Sequence, residues 1–137
     1  MRIFVDTSAW IAIADDSDKY HSEAKSYYLQ RLKEKTSFLT SNDVLAETYT
    51  WLRYHVSHSY AVRFHQMVTS AEKLRTLEIV WVDRAMADAA WEIFERYNDQ
   101  IFSFADCASF VLARHAKVNE VFAFDDDFVT MGFVMRP

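Results

Sequence analysis

One glycine, one proline and one cysteine in 137 residues leave this chain almost without the usual breakers and staples. The lone Cys107 excludes a disulfide within one chain and a zinc site built on several cysteines. It is compatible with a reducing compartment, so a cytoplasmic location is expected. Gly132 and Pro137 stand alone near the end, and no Pro/Gly/Ser-rich linker or internal repeat divides the chain. Residues 1–137 are therefore expected to form a single domain. Long apolar runs are also missing. Ile3–Val5 is interrupted by Asp6 and Ala9–Ala14 is ended by Asp15, far short of the roughly 20 residues of a membrane span, and no signal peptide or membrane association is expected. A basic excess is missing too: 15 Lys+Arg face 20 Asp+Glu, for a net charge of −5. That balance excludes a generic basic clamp on nucleic acid but leaves room for a local basic patch around an acidic metal centre. What remains is plentiful apolar material, 51% hydrophobic and 16% aromatic. A chain of this length buries roughly two-thirds of its unfolded surface, enough for an ordinary core.

Hydropathy alternates between short strand-like runs and longer helical ones. Arg2–Asp6 reads as a strand, with Thr7 or Ser8 as the cap of a helix over Ala9–Ala14. His21–Lys35 reads as a helix, Ser37–Thr40 as a strand, and Asp43–Val56 and Tyr60–Arg75 as two more helices. Leu77–Val82 is a third strand, and Asp83–Tyr97 is the clearest amphipathic helix, with Met86, Ala89, Ala90, Ile93 and Phe94 at helical spacing. Ser103 caps a helix to about Ala116, Glu120–Phe124 is a fourth strand, Asp125–Val129 a turn, and Phe133–Met135 a short fifth strand. Strands separated by helices imply an α/β fold with a parallel, helix-covered sheet. Its binding crevice lies at the carboxyl ends of the strands.

Carboxylates collect at those ends. Asp6 closes the first strand, and Asp125, Asp126 and Asp127 follow the fourth. Glu47 and Asp106 sit near helix starts, and neither has a cation three or four residues away, where helix neighbours lie. Each acid taken singly has a bland reading. Ser103-x-x-Asp106 fits a capping box, Glu47 a solvated helix residue, Asp6 a turn cap, and Asp125–Asp127 a solvated turn. Taken together, acids at successive element ends face one crevice. Converging carboxylates repel and need protons or a cation, and oxygen-only ligands select Mg²⁺ or Mn²⁺. Such a centre activates water and stabilises charge on a phosphodiester under in-line attack.

The segments Asp6-Thr7-Ser8, Leu45-Ala46-Glu47, Phe104-Ala105-Asp106-Cys107-Ala108 and Phe124-Asp125-Asp126-Asp127-Phe128 resemble those of a PIN-domain ribonuclease. The resemblance is nearest to the VapC-type toxins of bacterial and archaeal toxin–antitoxin pairs, and it covers essentially the whole chain in order. It implies a three-layer α/β/α fold with a parallel sheet of order 3-2-1-4-5. It implies that Asp6, Glu47, Asp106 and Asp125 are the catalytic, metal-holding acids, with Asp127 an additional or substitute ligand for Mg²⁺ or Mn²⁺. Ser8 or Thr7 would match an auxiliary hydroxyl. It further implies an RNA substrate, a small cognate antitoxin protein and a homodimer. Many relatives carry Thr or Ser where this chain has Ala123.

Other carboxylate chemistries fit less well. A haloacid-dehalogenase-type phosphatase needs a second Asp where Ser8 stands, a response-regulator receiver needs a lysine after a late strand, and an EF-hand needs Gly and Glu at offsets that are absent here. His55 and His58 read as ordinary histidines and Cys107 as a core residue. The basic faces Lys25, Arg31, Lys33, Lys35 and Arg53, Arg63, Lys73, Arg75 are candidate rims for phosphate. The leading reading is a metal-dependent endoribonuclease of the toxin kind. A housekeeping RNA-processing nuclease of the same fold and a non-catalytic PIN-like binding domain are the alternatives.

Overall fold

The computed structural model describes all 137 residues. Arg2–Val5 forms β1, and Ile3, Phe4 and Val5 are all fully buried. A strand covered on both faces reads as an unbroken apolar run, and that places β1 at the sheet's centre. It pairs in parallel with β2 (Ser37–Ser41) on one side and with β4 (Glu120–Phe122) on the other. β3 (Leu77–Val80) continues beyond β2 and β5 (Met135–Arg136) beyond β4. The resulting order is β3-β2-β1-β4-β5, every pair parallel, as the resemblance implied.

Seven helices connect these strands: α1 (Thr7–Ala14), α2 (His21–Lys33), α3 (Asn42–His55), α4 (His58–Lys73), α5 (Arg84–Arg96), α6 (Phe104–His115) and α7 (Asp127–Thr130). Right-handed crossovers that travel in opposite directions from β1 put α1–α4 on one face and α5–α7 on the other. The aromatic packing follows that division. Trp10 of α1 meets Tyr28 and Phe64 edge-on, while Phe128 of α7 meets Phe4 and Phe110. α2 runs down β4 from its carboxyl end, with Tyr20 stacked on Phe124 at the top and Tyr27 against Phe122 and Glu120 below. One buried polar knot ties α1 to the sheet. The Trp10 indole donates to Thr40 Oγ1 at 3.1 Å, and that hydroxyl donates to the Val5 carbonyl at 3.0 Å.

Local differences from the sequence expectation have local causes. Asp6, not Thr7 or Ser8, is the cap of α1; its backbone is extended and its Oδ2 accepts from the Ser8 amide at 3.4 Å. α4 begins at His58, two residues early, because the Ser57 hydroxyl already accepts the Tyr60 amide. β3 ends at Val80 and β4 at Phe122, short of the expected Val82 and Phe124. The Phe124 amide donates instead to Ser8 Oγ. The expected turn after Asp125 winds into α7, and the fifth strand is shifted to Met135–Arg136.

The shortage of glycine is met in an unusual way. α2, α4 and α6 all end on a left-handed residue, and these are Lys35 (φ 57°), Arg75 (φ 61°) and Lys117 (φ 53°). In each, this residue's amide and the next one bond back to the helix: Lys35 to Leu32 and Thr36 to Arg31, Arg75 to Glu72 and Thr76 to Ala71, Lys117 to Arg114 and Val118 to Ala113. That double bond pattern normally takes glycine, because a Cβ in this region costs about 1 kcal/mol. Lys35→Gly and Lys117→Gly are therefore each expected to stabilise the protein by about 0.5–1 kcal/mol, the strain relief exceeding the added unfolded-state freedom. Urea unfolding measures this; an unchanged or lowered midpoint in both variants would contradict the account.

Candidate active site

The carboxyl ends of β1 and β4 and the start of α6 meet at one acidic centre. Asp6 follows β1 directly and is only 4% exposed. Its carboxyl is held well above the usual carboxylate range, chiefly by burial and then by the negative charges of Asp125 and Asp106. Asp106 occupies the third position of α6 in a reciprocal capping box: its Oδ2 accepts the Ser103 amide at 2.9 Å and its own amide donates to Ser103 Oγ at 3.0 Å. Burial pushes Asp106 up to about 6, with Asp125 and Asp127 adding to the rise and the Ser103 hydrogen bonds opposing it. Asp127 is raised as well, by burial and by Asp125 and Asp126. Asp125 Oδ1 accepts the Asp127 amide at 3.2 Å.

The structure thus brings Asp6, Asp106, Asp125 and Asp127 into electrostatic contact. Glu47 stands apart from that group, exposed on α3, and is tied to it through Thr7, whose hydroxyl donates to Glu47 Oε1 at 2.5 Å. The two candidate hydroxyls divide the work. Thr7 holds Glu47, whereas Ser8 Oγ donates to Asp6 Oδ2 at 3.0 Å and accepts the Phe124 amide at 3.0 Å. Ala123 carries no hydroxyl, and the bond to the backbone just after it comes from Ser8 instead. Nothing in the sequence beyond the D-T-S spacing pointed to this Ser8 bridge.

The bland readings of Asp6 and Asp106 hold simultaneously, since both carboxyls cap helices. Capping uses one oxygen of each. Glu47 and Asp106 each have one oxygen engaged by a protein donor, which leaves the second for another ligand, while Asp6 and Asp125 also face each other across the centre. As the side chains stand, no three carboxylates close on a common point to form a ready cage. An all-oxygen, mutually repelling set with free oxygens fits a hard cation that keeps several of its waters.

Other candidates resolve differently. Cys107 is fully buried and its thiol is pushed up to about 11 by burial, as befits a core residue. His55 bonds the Trp51 carbonyl and stacks on that ring. Arg31 is taken up by Glu34 and Glu120. Because α2 descends β4 and α4 ends just before β3, Lys33, Lys35, Lys73 and Arg75 lie toward the sheet edge opposite the acids. They are no rim of this centre.

Residues 3–134 match the PIN domain model. The chain belongs to the PIN-domain family. This PIN domain is 36% identical over 139 residues to the 23S rRNA-specific endonuclease VapC20 of Mycobacterium tuberculosis, with 98% of each chain covered. The crystal structure of VapC20, a sarcin–ricin loop cleaving toxin, superposes with a TM-score of 0.81 at 34% identity, covering 96% of each chain. VapBC2 of Rickettsia felis, crystallised with a promoter DNA fragment, gives a TM-score of 0.71 at 13% identity, covering 99% and 98% of the two chains, a likeness of fold.

The raised acids make this PIN domain's stability fall as pH rises. Between pH 3.8 and about 6 the native Asp106 holds a proton that the unfolded chain releases, and Asp6, raised in the same direction, adds to the effect. Metal-free protein is expected to be most stable near pH 4 and to lose stability toward pH 8. Asp6→Asn should unfold later than the parent at pH 8 and alike at pH 4. Equal urea midpoints at pH 8 would show that Asp6 carries no such penalty.

Proposed function

We propose that this PIN domain is a metal-dependent endoribonuclease and the toxin of a toxin–antitoxin pair. The observation that carries the reading is the buried Asp6 beside Asp125 and Asp106, with Asp127 next to them, at the carboxyl edge of β1 and β4. End-to-end identity of 36% with a ribosomal-RNA endonuclease supports it. Asp6, Glu47, Asp106 and Asp125, with Asp127 as an additional ligand, would hold Mg²⁺ or Mn²⁺. Such an ion, when bound, supplies a water of lowered pKa and neutralises charge on the phosphate.

The protein's own part is to hold oxygens in place. Ser8 fixes Asp6 and ties it to the backbone of the strand that carries Asp125, and Thr7 fixes Glu47. Water attacks phosphorus, the bond from phosphorus to the 3′ oxygen breaks, and that oxygen takes up a proton. The products carry a 5′-phosphate and a 3′-hydroxyl. A looped segment of ribosomal RNA, the kind of substrate for which VapC20 is described, is the expected target. The setting is the cytoplasm, and no helix of this chain is long and apolar enough to cross a membrane.

Restraint in trans fits the surface. α3 and α4 present a groove lined by Tyr49, Arg53, Ala61 and Val62, with Tyr54 79% exposed beside it. A partner helix laid there would bring a basic side chain toward the acids. The exposed Trp91, Phe94 and Phe104 form a separate apolar cluster suited to a homodimer contact.

Asp6→Asn and Asp106→Asn are expected to reduce cleavage of a sarcin–ricin hairpin to background while the fold is kept. EDTA should abolish activity and added Mn²⁺ or Mg²⁺ restore it. Ser8→Ala should lose about 10–100-fold, as supports of metal ligands do. Undiminished cleavage in Asp6→Asn, or products ending in a 2′,3′-cyclic phosphate, would refute the mechanism. Expression alone should arrest growth, and co-expression of the adjacent small reading frame should relieve it. Normal growth of cells expressing active protein, with no co-purifying partner, would favour the housekeeping alternative.

A further inference from the structure

Two basic residues that lie 38 positions apart in sequence, on helices with separate basic faces, come together in one cavity. It has a volume of about 290 Å³ and is lined by Asp16, His21, Lys25, Tyr60, Arg63 and Met67, among others. Arg63 lies over the Tyr60 ring at 4.4 Å, and the Tyr60 hydroxyl donates to Asp16, which occupies the only acid of the lining. The ion pairs of the molecule are made by Arg2, Arg31 and Arg84, so Lys25 and Arg63 keep unspent charges. What sets these two apart from the other unpaired cations is that helices far apart in sequence bring them to one cavity, with Asp16 as its acid.

The cavity is joined to the acidic centre by an aromatic stack. Tyr20, next to His21, lies flat on Phe124, with ring centroids 4.5 Å apart and planes 6° apart. Phe124 immediately precedes Asp125, and its amide bonds Ser8, the holder of Asp6. Lys19 covers the ring of Tyr20 at 4.9 Å and is likewise unpaired. A path therefore runs from Asp125 through Phe124 and Tyr20 to Lys25, Tyr60 and Arg63, aromatic rings interleaved with cations outside any ion pair, Lys19 lying over Tyr20 and Arg63 over Tyr60. That interleaving is the chemistry by which proteins track a single strand of nucleic acid, bases on rings and phosphates on cations.

We propose that this strip is the RNA-positioning surface of the nuclease. Nucleotides next to the scissile phosphate stack on Tyr20, with Lys19 giving way to the base, and the following phosphates sit on Lys25 and Arg63. The proposal rests on the ribonuclease reading and names residues that hold substrate without touching the reacting atoms.

The test uses the full-length Asp6→Asn protein, so that binding is read without cleavage, and a short looped RNA carrying 2-aminopurine beside the cleavage position. Lys25→Ala/Arg63→Ala should weaken binding about tenfold at 0.1 M salt and flatten the salt slope by about 1.4, two phosphate contacts on a single strand. Tyr20→Leu should cost about tenfold and remove the fluorescence quench that stacking produces. Lys33→Ala/Lys73→Ala removes the same charge at the opposite edge and should leave affinity and slope unchanged. In the active protein, Lys25→Ala/Arg63→Ala should raise KM with kcat nearly unchanged. RNA bound with salt-dependent affinity that Lys25→Ala/Arg63→Ala and Tyr20→Leu leave unaltered would overturn the strip while the nuclease reading stands. Equal losses in the Lys33→Ala/Lys73→Ala control would reduce it to bulk charge. No binding of RNA by the Asp6→Asn protein would overturn both.

Discussion

The repulsion among Asp6, Asp106 and Asp125 is the constraint around which the rest of the molecule is arranged. Asp6 is driven into that position by the fold itself, because the most buried strand must end somewhere and this one ends in a carboxyl. A lone buried charge would be intolerable, and the structure meets the cost with Ser8, the α1 amides and a carboxyl whose affinity for its proton is raised. The same strand end provides the anchor for α1, since Val5 accepts the Thr40 hydroxyl that in turn accepts the Trp10 indole. Stability and the acidic centre are thus set against each other over a span of two residues.

This opposition explains why two readings of the same residue hold together. Asp106 is an ordinary helix cap by geometry, and its box with Ser103 is complete. Yet it is an abnormal acid by environment, since burial and Asp125 outweigh the hydrogen bonds that would lower it. A cap that is hard to ionise serves its helix poorly. Such a residue makes sense where a cation supplies the missing charge.

Much of this was legible in the chain. The apolar run Ile3–Val5 closed by Asp6 announced a strand with an acid at its end, the resemblance placed it at the centre of the sheet, and Ser103 announced the helix that follows it. Residues whose roles depend on long-range partners were not legible. Thr7 and Ser8 are neighbours of similar chemistry, and only the fold assigns one to Glu47 and the other to Phe124. Tyr20 carries no local signal at all, because its stacking partner lies 104 positions away. Helix ends at Lys35, Arg75 and Lys117 were placed only approximately, since basic residues give no hint of a left-handed stop. The basic faces misled for a related reason: periodicity shows which residues share a face but not at which end of the sheet that face lies.

The central strand has one further consequence, for the moment at which the acidic centre is completed. β1 is the first strand made, but its partner β4 pairs Phe4 with Val121, and Ser8 must reach Phe124, 116 residues on. Contacts of such separation form late, and synthesis proceeds at about 5–20 residues per second. A nascent chain therefore carries Asp6 for many seconds with neither Asp106 nor Asp125 beside it. Every ribosome that makes this protein works beside an incomplete acidic centre until the final strands emerge. The order of the strands acts as a delay built into translation.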